Sequence, residues 1–134
     1  MPTHATGAFE VKLVPQSTDN VPEGTALGRT SIDKQFHGDI EATSKGEMLS
    51  AMTSVKGSAG YVAIERVTGT VHGRKGTFVL QHTGTMDRGV QSLTITIVPD
   101  SGTGDLAGMS GTMTIRIEPG GKHFYDLDYE LPEA

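Results

Sequence analysis

One stretch restricts the fold more than any other: residues 61–85, YVAIERVTGTVHGRKGTFVLQHTGT. Its two arms are rich in β-branched, aromatic and aliphatic residues, which suit a pleated, half-buried surface. A turn is expected at Gly73-Arg74-Lys75-Gly76. Closure through Gly73-Arg74 pairs His72 with Lys75 and sets Thr68 opposite Val79, Arg66 opposite Gln81 and Glu65 opposite His82. A four-residue loop moves the partners by two and keeps the parity, whereas a three-residue loop or a bulge breaks it. Because side chains alternate between the faces of a strand, Tyr61, Ala63, Glu65, Val67, Phe78, Leu80 and His82 then share one face. Val62, Ile64, Arg66, Thr68, Val79, Gln81 and Thr83 share the other. The first face is the more apolar, yet it carries a carboxylate and an imidazole as cross-strand neighbours.

The rest of the chain repeats the pattern. Phe9, Val11 and Leu13 alternate with Glu10 and Lys12, which predicts a strand over His4–Val14. PQSTDNVPEG, residues 15–24, reads as a loop. Leu27–Phe36 is a second strand with Ile32 and Phe36 on one face, and His37-Gly38-Asp39 is a turn. Ile40–Met52 has no helix cap and contains Gly46, so a strand bent near that glycine is expected. Further strands follow around Leu93–Val98, Met113–Ile117 and His123–Leu131, set off by MDRG, by the glycine-rich DSGTGDLAGMSG and by EPGG. Evenly spaced strands with glycine turns and no helix between them predict an all-β fold. The specific expectation is an eight-stranded, antiparallel, up-and-down barrel over residues 1–134 as a single domain. A barrel of this size holds either packed side chains or one small ligand.

Several segments carry a family resemblance: FEVK, the Phe36–Asp39 turn, Glu65–Gly69, Gly76–His82, Gly102–Gly108 and Leu127-Asp128-Tyr129, in that order. The chain resembles an uncharacterised bacterial family of small single-domain proteins, which is similar in fold to allene oxide cyclase. Its GTGDLAG loop is also similar to one in dirigent proteins and in allene oxide cyclases. The resemblance implies a small antiparallel β-barrel. It implies no activity, since the cyclases' active-site residues match no motif here.

The residues themselves bound the chemistry. There is no cysteine, hence no disulfide framework, thiol nucleophile or zinc–thiolate site. A net charge of −5 with both signs interspersed argues against nucleic acid as a partner. No apolar run approaches a membrane span and MPTHATGAFEVKL lacks a signal-peptide pattern, so a soluble cytoplasmic protein is expected, with no membrane partner. The five histidines show no His-x-His or His-x-x-x-His spacing, so neither metal nor cofactor is expected. The glycine-rich loop lacks the Gly-Lys-Ser/Thr ending of a phosphate-binding loop and precedes a strand, so it reads as a structural turn.

Glu65 and His82 stand out as candidate catalytic groups, because a carboxylate and an imidazole in an apolar setting can serve as general acid and base. The alternative is a structural ion pair. Tyr61, Phe78, Leu80 and Tyr125 are the candidate ligand-binding residues. Three function classes follow: a barrel binding a small hydrophobic metabolite, a cofactor-independent isomerase or cyclase using the Glu65/His82 pair, and a ligandless oligomeric structural module. Self-association, as a dimer, is expected because Val62, Ile64 and Val79 form an outward apolar patch.

Overall fold

Period-2 alternation decides the architecture. A computed structural model describes residues 2–19 and 24–132, the side chains of 18 and 19 excepted. Eight strands form a closed antiparallel barrel in sequential order: β1 (Thr3–Asp19), β2 (Ala26–Phe36), β3 (Ile40–Met52), β4 (Ala59–Val71), β5 (Arg74–Asp87), β6 (Val90–Ile97), β7 (Ser110–Ile117) and β8 (His123–Glu130). The meander closes where β1 pairs with β8, from Thr3 opposite Tyr129 to Phe9 opposite His123. Among the described residues the only helical element is one 3₁₀ turn, Gly104–Leu106, and no helix is long and apolar enough to cross a membrane.

The central hairpin keeps the expected parity in a different register. The turn is His72-Gly73, with Val71 opposite Arg74, so Thr68 faces Thr77, Arg66 faces Val79, Glu65 faces Leu80 and Ala63 faces His82. Both turn residues have positive φ, 49° at His72 and 78° at Gly73. A two-residue hairpin of this kind matches strand twist by placing both residues at positive φ, and glycine takes the second position most easily. The same logic sets the β5–β6 turn at Arg88-Gly89. Each glycine thus closes its turn rather than opening it.

β1 corrects a second expectation. It runs through Pro15 to Asp19 instead of stopping at Val14, with a bulge between Pro15 and Ser17. Among the described residues this strand pairs beyond Phe9 with β2 alone, so Pro15 lies on an edge where its missing N–H breaks no ladder. Of the expected loop over residues 15–24, residues 20–23 lie outside the described residues. β3 is one continuous strand over Ile40–Met52, the strand expected there from the missing helix cap and Gly46. Its Gly46 faces Glu65 so closely that an added Cβ would lie 2.6 Å from the Glu65 Cα.

The two ends of the barrel differ. At one end lie the β2–β3 turn, the β4–β5 turn and the β6–β7 loop. The loop's Thr103 is tied to Thr77 by backbone and side-chain hydrogen bonds, and Leu106 and Met109 plug the interior. Tyr125 is fully buried there: its hydroxyl accepts a hydrogen bond from the Ile40 N–H at 2.8 Å and donates to the His37 carbonyl at 2.8 Å. We call this the closed end. Towards the opposite, open end β6 and β7 part: among the described residues they share only the pairs Ile95–Met113 and Thr96–Thr112, and residues 90–94 lack a partner on β7. The upper parts of β1 and β6 therefore each have a neighbour on one side only. The core lies towards the closed end, built from Phe9, Phe36, Ile40, Val67, Phe78, Leu80, Ile95, Tyr125 and Leu127 among others.

Candidate functional site

Parity brings the site together. Glu65 is fully buried and His82 nearly so, both on the interior face of the barrel. They are diagonal neighbours across β4 and β5, and His82 Nε2 lies 2.5 Å from Glu65 Oε2. Two further side chains complete the carboxylate's shell. Lys34 Nζ donates to Oε2 at 2.8 Å and Ser44 Oγ donates to Oε1 at 2.6 Å. Lys34 is itself buried, and its ammonium sits 5.2 Å from the Phe9 ring centroid and 5.8 Å from that of Phe36. An ammonium over aromatic faces is favourable, more so where water is excluded.

Neither Lys34 nor Ser44 was singled out from the sequence, although the signal was present. Lys34 falls between Ile32 and Phe36 on the face already read as apolar, and Ser44 falls between Ala42 and Gly46 on the inward face of β3. Lysine's usual place in solvent hides the first, because parity points inward while residue type points outward.

Four groups thus share one buried network, and the balance of effects on Glu65 can be stated. Burial alone pushes the carboxyl up. The His82 hydrogen bond, the Lys34 charge and hydrogen bond, and the Ser44 hydroxyl together outweigh it and hold the pKa at about 2. Glu65 is therefore a carboxylate at any ordinary pH and only accepts hydrogen bonds. Among the described residues no buried side-chain polar atom lacks a partner.

Tyr61 links this network to the surface. Its hydroxyl lies 3.4 Å from His82 Nδ1 and its ring is tilted against the imidazole at 6.2 Å between centroids. The ring lies across Gly84, where an added Cβ would come within 2.4 Å of Tyr61 Cε1, so only glycine leaves room for it. Burial, and secondarily the Glu65 charge, raise the Tyr61 pKa, so the phenol stays protonated. Above Tyr61 the open end holds a cavity of about 390 Å³, walled by Met48, Met52, Ala59, Met86 and Leu93 with Tyr61 at its base. Ser50 and Gln91 add polar atoms to a mostly apolar wall. The methionines are unbranched and polarisable, and such side chains adapt to varied ligand shapes.

The remaining candidates lie elsewhere. Phe78 and Leu80 are fully buried in the packed core and do not line the cavity. Tyr125 packs edge-on against Phe36 at the closed end, its hydroxyl engaged by the β2–β3 turn. Among the described residues no group of three or more His, Asp or Glu side chains is placed to hold a metal ion. The glycine-rich loop acts as the plug of the closed end.

The sequence profile of DUF3224, described as a protein of unknown function, matches residues 5–129. A crystal structure of a DUF3224-family protein of unknown function from Shewanella oneidensis MR-1 is 51% identical and superposes with a TM-score of 0.92. The similarity covers 99% of this chain and 100% of that one. No curated protein matches the sequence.

Proposed function

We propose that this chain, which belongs to the DUF3224 family, binds a small, largely apolar ligand in the open end of its barrel, over Tyr61. The observation that carries the reading is the cavity of about 390 Å³, apolar in its walls and with one phenol at its base. Its size and its few convergent polar groups are those of small-molecule sites, which run to roughly 300–1,000 Å³. Behind the phenol, the Tyr61–His82–Glu65–Lys34 chain holds the base of the cavity in one arrangement.

A proton-transferring isomerase or cyclase is supported less well. A carboxylate held at about 2 is a weak base, and its lone pairs are occupied by Lys34, Ser44 and His82. The test is a fluorescence titration with N-phenyl-1-naphthylamine, repeated with Met86→Lys. Saturable binding in the parent protein and its loss in a variant of unchanged circular dichroism support the site. Equal binding by both proteins, or none by the parent, removes it.

We infer, separately, that the chain self-associates through the outer face of β2–β4. Leu49 and Val62 are directly paired, and with Ile64 and Leu27 each is about half exposed. Val79, expected in this patch, is only partly exposed, and its backbone N–H donates to Ser101 Oγ of the β6–β7 loop. Light scattering reads the mass: a dimer reduced to the 14.1 kDa monomer by Val62→Lys supports this interface, and a monomer at every micromolar concentration overturns it.

A further inference from the structure

Resting on the reading of the open-end cavity as the binding site, we propose that His82 decides whether Tyr61 offers the ligand a hydrogen-bond acceptor or a donor. The site thereby selects for an apolar molecule carrying a hydroxyl or N–H group when the imidazole is neutral.

The Glu65 carboxylate has no proton to give, so the short contact to His82 Nε2 requires the hydrogen to sit on that nitrogen. The assignment holds for both charge states of the imidazole. Every change in the protonation of His82 therefore falls on Nδ1, and the Tyr61 hydroxyl lies beside it. In neutral His82, Nδ1 is a bare lone pair. The Tyr61 O–H turns to it, and the phenol oxygen presents its lone pairs to the cavity. In protonated His82, Nδ1–H donates to the phenol oxygen. The Tyr61 O–H can no longer point at the imidazole and turns to the cavity as a donor. One proton on a nearly buried ring thus reverses the polarity of the hydroxyl of a residue that lines the cavity.

The groups around His82 come from β2, β3, β4 and β6. From β4 it is faced by Glu65 and Tyr61, with Ala63 directly opposite, and from β6 by Ile95, which carries no charge. Lys34 reaches in from β2, its ammonium bonded to the same Glu65 oxygen that His82 contacts. Ser44 from β3 is bonded to the other Glu65 oxygen. The phenol does not compete for the role of proton carrier, since its own ionisation is moved further from neutrality by burial.

The experiment uses two probes of near-identical shape. 2-Naphthol donates and accepts, whereas 2-methoxynaphthalene only accepts. Their dissociation constants are measured on the full chain from about pH 5 to 8.5. The expected result is a ratio of methoxy to hydroxy dissociation constants that is highest at alkaline pH and falls by roughly three- to tenfold on acidification, one net hydrogen bond's worth. In Tyr61→Phe the ratio is flat with pH. A flat ratio in the parent protein with both probes bound overturns the switch and leaves the binding reading standing, as does an unchanged pH dependence in Tyr61→Phe. If neither probe binds below about 1 mM, the cavity is not a site for such ligands and both readings fall. The tautomer is checked on ligand-free protein by imidazole ¹⁵N shifts. At pH 8, hydrogen on Nε2 with Nδ1 bare supports the proposal, and hydrogen on Nδ1 overturns it.

Discussion

The two ends of the barrel are built from the same strands and have opposite characters. At the closed end, loop and turns are bonded to one another, Leu106 and Met109 fill the centre, and the Tyr125 hydroxyl satisfies a backbone N–H. At the open end the strands outrun their partners, and Met52 and Leu93, both on the inward face, stand 59% and 45% exposed. Inward position therefore does not amount to burial. Burial also needs a wall on the far side, and β7 and β8 stop short of providing one. The contrast separates a region that holds the fold from one that is free to meet a ligand.

The sharpest test of that division compares truncations. Phe36→Ala, at a fully buried position against Phe9 and Tyr125, is expected to lower stability by about 3–5 kcal/mol in urea unfolding. A loss under about 1 kcal/mol would break the comparison. Next comes the network between the two ends. The Glu65 pKa, lowered from 4.5 to about 2, means its stabilisation is complete above pH 4.5 and is lost as pH falls through the folded value. The parent should lose about 3 kcal/mol over that window through this group, and Glu65→Gln should show a shallower acid dependence by a similar amount. Acid titrations that superimpose would show that the carboxylate is not held as described.

Tyr125→Phe keeps the ring and strands the Ile40 N–H, an expected loss of about 1–3 kcal/mol. Burial raises the Tyr125 pKa to about 12, so this contribution is intact below the ordinary value of 10 and is lost only as pH rises through 12. At neutral pH the difference between parent and variant should therefore be independent of pH. The smallest effect is expected at the open end. Met52→Ser and Leu93→Ser should change stability by no more than about 0.5 kcal/mol while weakening probe binding. A large stability loss there would mean that the open end is core after all.

Much of this was legible in the chain because period 2 is a strict rule. Parity alone set Glu65 and His82 on the side of Phe78 and Leu80, and a two-residue error in register left that parity intact. What stayed hidden depends on three-dimensional closure. Lys34 was obscured by lysine's usual place in solvent, and nothing local says that its ammonium will meet a carboxylate two strands away. The methionines of the cavity wall, Met48, Met52 and Met86, follow the inward parity of β3 and β5. That they border open space rather than core is decided by the short β7–β8 hairpin, whose length no single strand announces. Pro15 reads as a loop residue unless one knows that its strand has lost a neighbour.

The seam between β1 and β8 also bears on how the chain reaches this shape. Seven of the eight contacts around the barrel join consecutive strands, whereas the last joins the two ends of the sequence. Loop-closure entropy opposes that contact more than any hairpin, so the hairpins can form while β1 waits for β8. On a ribosome, β1 emerges first and has its final neighbour last. The seam should accordingly be immature at the rate-limiting step. Ala5→Gly and Leu127→Ala are expected to accelerate unfolding while barely slowing refolding, and Val67→Ala to slow refolding, in stopped-flow chevrons. The completed ring is then a kinetic latch, because a strand delivered last is also positioned to be the first to leave.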